Sequence, residues 1–135
     1  MSNLPIFDVA GSAMTAQSVR LSTIASNLAN ADSVSGDPSA VFRAKQPVFS
    51  TEAVVGNPAL SGVRVTEVSE STAAPLKRYE PGHPLADPQG YVYAPDIDPV
   101  AQMVDLISAS RSYQANVEVF NSAKELAMAT LNMGR

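Results

Sequence analysis

Both ends of the chain carry an apolar stripe at alternating three- and four-residue spacing, and almost all of the proline lies between them. The first stripe runs Phe7, Ala10, Met14, Gln17, Leu21, Ile24, Leu28 and Ala31, a heptad seam interrupted only by Gln17. The second runs Met103, Leu106, Ser110, Tyr113, Val117, Phe120, Lys124, Ala127 and Leu131, with Ser110 and Lys124 as its polar interruptions. A lone amphipathic helix cannot bury its own stripe, and the nearest partner for each is the other end of the chain. The pattern predicts a mainly α fold in which paired N- and C-terminal helices form a coiled coil around a small strand- and loop-rich middle lobe.

The outer faces of these helices point the same way. Residues 7 to 31 hold two charges, Asp8 and Arg20, against nine Ser, Thr, Asn or Gln and six Ala. A solvated helix is normally laced with Lys and Glu, whose i,i+4 pairs add roughly 0.2–0.5 kcal/mol each. Small uncharged faces instead let a neighbouring helix approach without stranding a charge, whose desolvation costs several kcal/mol per ion as an order of magnitude. The residues therefore fit a packed assembly, and equally a helical hairpin within a monomer.

Nine of the ten prolines and five of the seven glycines fall between Gly36 and Pro99, which excludes a long helix there. Val41 to Phe49 and Val63 to Val68 are strand candidates, with Gly56, Asn57, Pro58 and Gly62 marking turns between them. Lys77 to Pro99 reads as an extended, turn-rich connection with a short strand at Gly90 to Tyr93, its tyrosines Tyr79, Tyr91 and Tyr93 available to pin it to the helices. Asp98 is a good N-cap and Pro99 suits the first helical position, so the last helix starts there and can run to Met133 before Gly134. The first helix is expected to end near Asn30, where asparagine tolerates a left-handed conformation. Three segments result: residues 1–31 and 98–135 as the helical core, and 32–97 as the middle lobe.

Composition excludes several functions. A net charge of −4 with no basic patch speaks against nucleic-acid binding. With no cysteine and a single histidine, neither thiolate chemistry nor a zinc site is expected, and no cofactor is called for. Asp96 and Asp98 resemble a sparse cation site but are already explained as helix-entry chemistry. His83 lacks a nucleophile to activate, and no Gly-x-Ser-x-Gly elbow occurs. The chain is not expected to be an enzyme. It has no stretch of ~20 apolar residues to insert in a membrane, and its opening residues do not form a signal peptide.

Against this background, Ser22 to Ala31, closing on Asn27-Leu28-Ala29-Asn30-Ala31, resembles the N-terminal signature of bacterial flagellar axial proteins. Tyr79-Glu80-Pro81-Gly82-His83-Pro84-Leu85-Ala86-Asp87, then Gly90 to Tyr93, Asp98 to Val100, and Ile107 to Asn121 with Arg111, Tyr113 and Asn116, are similar to the proximal-rod family of those proteins. The similarity spans both ends and the second half of the middle. It departs from the family at Ser33 to Phe42, where a shorter, tyrosine-containing approach to the first strand is usual.

The resemblance implies a subunit of the rod of the flagellar basal body, in the periplasm, exported by the flagellar type III apparatus without a cleaved signal peptide. Its implied partners are copies of itself, neighbouring rod proteins and the membrane-ring protein at the rod base. It also implies that the terminal helices form an inner tube and the middle an outer lobe. A soluble coiled-coil adaptor or export chaperone for flagellar proteins is the rival reading.

Overall fold

In the computed structural model, residues 5–54 and 57–134 are described. Helix α1 spans Pro5–Asn30; after a single 3-10 turn at Pro38–Ala40 come strands β1 (Lys45–Val54), β2 (Asn57–Glu70), β3 (Leu76–Tyr79) and β4 (Tyr91–Ala94), and helix α2 spans Pro99–Met133. The strands form two separate antiparallel two-stranded sheets, β1 with β2 and β3 with β4.

This corrects the expected class. About half of the chain is helical but a quarter is strand, and the protein is a mixed α and β structure rather than a mainly α coiled coil. The cause is the β1–β2 hairpin, paired from Lys45↔Glu70 to Val54↔Asn57 with irregularities at Val48/Phe49 and Ala53/Val54. β1 begins at Lys45, four residues after the start of the expected strand, and both strands run past their sequence signal, the added residues being held by pairing with one another. Gly62 is not a turn: it is buried within β2. A Cβ at that position would sit 2.7 Å from Ser12 Oγ, so the glycine admits the helix rather than bending the strand. Gly56 lies outside the described residues, as do residues 1–4 on which the reading of the opening segment rests.

Helix α1 is central: it packs on α2 along one face and on both strands of the hairpin along another. Two stripes of α1 are consequently used, one through Ala10 and Ile24 and a second through Ala16 and Thr23, all buried. The scarcity of charge on α1 follows from this double burial. Arg20, on the margin, reaches Asp105 of α2 at 3.5 Å, with the two side chains 30% and 51% exposed.

The ends of the helices are satisfied locally. Asp98 Oδ1 accepts from Val100 N–H at 2.9 Å, and Pro99 occupies the first turn. At Asn30 the left-handed explanation does not hold, since among the described residues no non-glycine has positive φ. Instead Asn30 Nδ2 donates to Ser26 O (2.8 Å), and Ser33 closes the exit by donating from both N and Oγ to Asn30 O (3.1 and 2.7 Å).

The β3–β4 sheet forms a small body of its own. Ser35 and Tyr93 exchange backbone hydrogen bonds of 2.9 and 2.8 Å, tying the chain leaving α1 to β4, and Val92 is fully buried. The tyrosines do not pin this segment to the helices as expected. Tyr79 and Tyr91 pack edge-to-face on one another at 5.1 Å, and Tyr93 Oη faces Asp87 Oδ2 at 3.5 Å.

Candidate assembly surface

The two helices run antiparallel. Phe7 meets Phe120 edge-to-face at 4.9 Å, Arg20 meets Asp105, and Asn27 Nδ2 donates to Gln102 Oε1 at 3.1 Å. On α1 the residues of the expected seam are inward: Ala10 and Ile24 are buried, and Phe7, Met14, Gln17, Leu21 and Leu28 are half-buried. On α2 the residues of the expected seam divide between half-buried and exposed positions. Leu106, Tyr113, Val117, Phe120 and Ala127 are half-buried, but Met103 is 51% and Leu131 69% exposed.

The buried positions of α2 are Ala109 (0% exposed) and Ala123 (7%). The inward line is therefore Gln102, Leu106, Ala109, Tyr113, Asn116, Phe120 and Ala123, with alternate positions moved one residue from the expected Met103, Ser110, Val117 and Lys124. Small residues let the helix backbones approach closely yet carry little hydropathy signal, so reading by large apolar residues alone placed the frame one step away. Gln17 Oε1 is buried without a hydrogen-bond partner among the described residues.

Rotating the frame leaves the larger apolar side chains of α2 outside. Met103, Val104, Ile107 and Val119 are 45–61% exposed along the body of the helix. From the antiparallel pairings, Pro5 lies level with about residue 122, and α2 continues roughly ten residues, ~15 Å, beyond it. That projection carries Leu126, Met128 and Leu131, all more than half exposed. On the flank of the helix pair, Gly11, Met14, Thr15, Ser18, Val19, Tyr113 and Phe120 line an open groove of about 420 Å³. These exposed side chains and the uncharged groove are apolar surface of the kind that marks interaction sites when it is contiguous.

The motif residues fall in three places. Asn27, 2% exposed, joins α1 to the first residue of β1: its Oδ1 accepts from Lys45 N (2.8 Å) and its Nδ2 donates to Lys45 O (2.9 Å). Glu80, Pro81, Gly82, His83 and Pro84 make the turn after β3, where Glu80 pairs with Arg78 at 2.6 Å, His83 N donates to Glu80 O, and His83 Nδ1 accepts from Leu85 N. Asp87 organises the return to β4. Its Oδ1 accepts from both Gln89 N and Tyr91 N at 2.9 Å, and the Tyr91 hydrogen bond above all holds its carboxyl below the usual carboxylate range. On α2, Arg111 is exposed, and Asn116 Nδ2 donates to Ser112 O within its own helix. The turn and the α2 residues do not converge on one another; among the described residues no cluster able to hold a metal ion exists.

Residues 7–36 match the family described as "Flagella basal body rod protein", and residues 89–133 match "Flagellar basal body rod FlgEFG protein C-terminal". The whole chain is 56% identical over 135 residues to the flagellar basal-body rod protein FlgC of Escherichia coli O6:H1, covering all of both chains. It is 54% identical, again end to end, to that of Salmonella typhimurium strain LT2. With the protein of the same name from Aquifex aeolicus it shares 42% over 119 residues, 88% of this chain and 87% of the relative.

The chain belongs to the FlgC family of flagellar basal-body rod proteins.

It is accordingly a structural component of the flagellar basal-body rod and not an enzyme. For a FlgC-family chain the informative surface is the one that intramolecular packing leaves open. No helix among the described residues is long and apolar enough to cross a membrane, so the exposed ridge of α2 belongs to no membrane-spanning helix. Sequence reading anticipated Phe120, Tyr113 and Leu106 but missed Ala109, Ala123, Gln102 and Ser12. The signal that could have found the alanines is their seven-residue repeat with Gln102 and Asn116.

Proposed function

We propose that this chain is a subunit of the proximal rod that assembles helically with copies of itself and with neighbouring rod proteins, and so carries motor torque across the periplasm. In this reading residues 1–31 and 98–135 form the tube wall, and 32–97 an outer lobe. The observation that supports it best is the apolar ridge of α2, Met103, Val104, Ile107 and Val119, left outside the chain's own packing although α1 and α2 are already paired. Burying it against neighbouring subunits would yield about 25 cal/mol per Å² of apolar surface. A heterologous contact repeated without closure gives a helical tube rather than a closed ring. The membrane-ring protein fits as the neighbour at the rod base and the type III apparatus as the exporter, since helices that complete their burial only on assembly suit a chain passed through a narrow channel.

The test is electron microscopy of basal bodies from a strain lacking the gene, beside the complemented strain. Membrane rings without a completed rod, restored by complementation and carrying labelled protein immediately above the ring, are expected. Label confined to the distal rod would overturn the proximal placement, and complete rods in the deletion strain would overturn the whole reading.

A further inference from the structure

Among the described residues, two side-chain ties join the β1–β2 hairpin to α1, at Ser12 and at Asn27, and they differ in what else they touch. Near the start of the helix, Ser12 Oγ accepts from Val63 N at 3.1 Å and donates to Val9 O at 2.8 Å, a connection between α1 and β2 alone. Towards its end, Asn27 meets both backbone groups of Lys45 and, with its remaining N–H, Gln102 Oε1 of α2. The carboxamide thus copies a strand residue towards β1 while its last donor is spent on the other helix. Asn27 is nearly sealed from solvent, and a buried donor without an acceptor is far costlier than a hydrogen bond is worth.

We infer that Asn27 is a positioning residue that makes the seating of the hairpin depend on the pairing of the terminal helices. When α2 lies against α1, Gln102 satisfies the second N–H and the amide is held in the orientation that receives Lys45. Without α2 that N–H loses its protein acceptor, and the amide is no longer held from its far side in the orientation that receives Lys45. The Ser12 tie has no such dependence. A chain whose two helices come from opposite ends would therefore lock the base of its hairpin only once both ends have met. This coupling lies within one subunit and does not rest on how subunits are arranged in the rod.

The test is hydrogen exchange by mass spectrometry on isolated basal bodies, reading the peptides that contain the Lys45 and Val63 amides in wild type, Gln102→Leu and Gln102→Glu. Gln102→Leu removes the acceptor and is expected to speed exchange at Lys45 by roughly five- to tenfold, the scale of one hydrogen bond, with Val63 changed less than twofold. Gln102→Glu keeps an acceptor and is expected to retain wild-type protection. Unchanged exchange at Lys45 in Gln102→Leu, equal loosening of both ties, or a Glu variant behaving like the Leu variant would each overturn the inference. If Gln102→Leu yields no rods, normal rods with Gln102→Glu support the inference, and failure of both variants overturns it.

Discussion

Gly62 decides how the β1–β2 hairpin sits on its helix, and Asp87 how the turn into β4 is built. Gly62 is required by proximity: a methyl group there would lie 2.7 Å from Ser12 Oγ and 3.4 Å from its Cβ. Gly62→Ala is expected to destabilise the chain by about 1–3 kcal/mol, the range for overpacking a close contact. Combined with Ser12→Ala, which withdraws the obstructing hydroxyl, the loss should fall short of the two single losses added together. Chemical denaturation of the four proteins of that cycle checks it; strict additivity would show that the contact is not what demands glycine. Asp87 makes the second case. Its carboxyl is held low chiefly by the Tyr91 N–H, so the folded pKa lies below the unfolded one. The stability it contributes is full above the unfolded value and is lost as pH falls through the folded one. Protection of the Tyr91 amide, taken relative to its intrinsic exchange rate at each pH, should fall on acidification below the normal carboxylate range, and Asp87→Asn should flatten that dependence.

For elements, the frame of α2 is the sharpest issue. Lys124 and Ala123 lie about 100° apart around the helix, and because the two seams share Leu106, Tyr113 and Phe120 the seam itself turns by about half of that. Since Ala123 is buried and Lys124 exposed, Ala123→Leu should push the helices apart and cost about 1–3 kcal/mol, whereas Lys124→Leu should change stability by less than about 0.5 kcal/mol. A coiled coil in the sequence-derived frame demands the opposite order, and thermal unfolding of the two variants separates them. The strands teach a related lesson. Their alternation was visible at Val63 and Val65, which are half-buried with Arg64 exposed between them, but their length was not. Residues such as Ala59 to Gly62 have no preference for strand until α1 and β1 supply one.

For the whole molecule, the parts legible in sequence were those written in large side chains or in caps: both helices, the Asp98–Pro99 entry and the end of α1 at Asn30. Harder to read were the interfaces between elements, because Ala109, Ala123, Ser12 and Gly62 act by being small and carry little hydropathy signal. The expected class failed on the length of the strands, since Val41 to Phe49 and Val63 to Val68 signalled only part of the strand content. The exposed ridge belongs to this scale as well. Val104→Asp with Ile107→Glu should leave the stability of the isolated chain within about 0.5 kcal/mol while preventing its recovery in rods, which cell fractionation and complementation of motility would measure. Full motility in that double variant would show the ridge to be ordinary surface.

The separation of the two hairpin ties has a mechanical meaning. Ser12 and Asn27 are fifteen residues apart on one continuous helix, about 22 Å. An arm fastened at one point swings as a pivot, whereas an arm fastened at two points this far apart behaves as a splint. Any sideways load on the hairpin arrives at α1 as a push at one fixing and a pull at the other. The helix takes both, and the hairpin is held to the line of the helix rather than free to swing about one point.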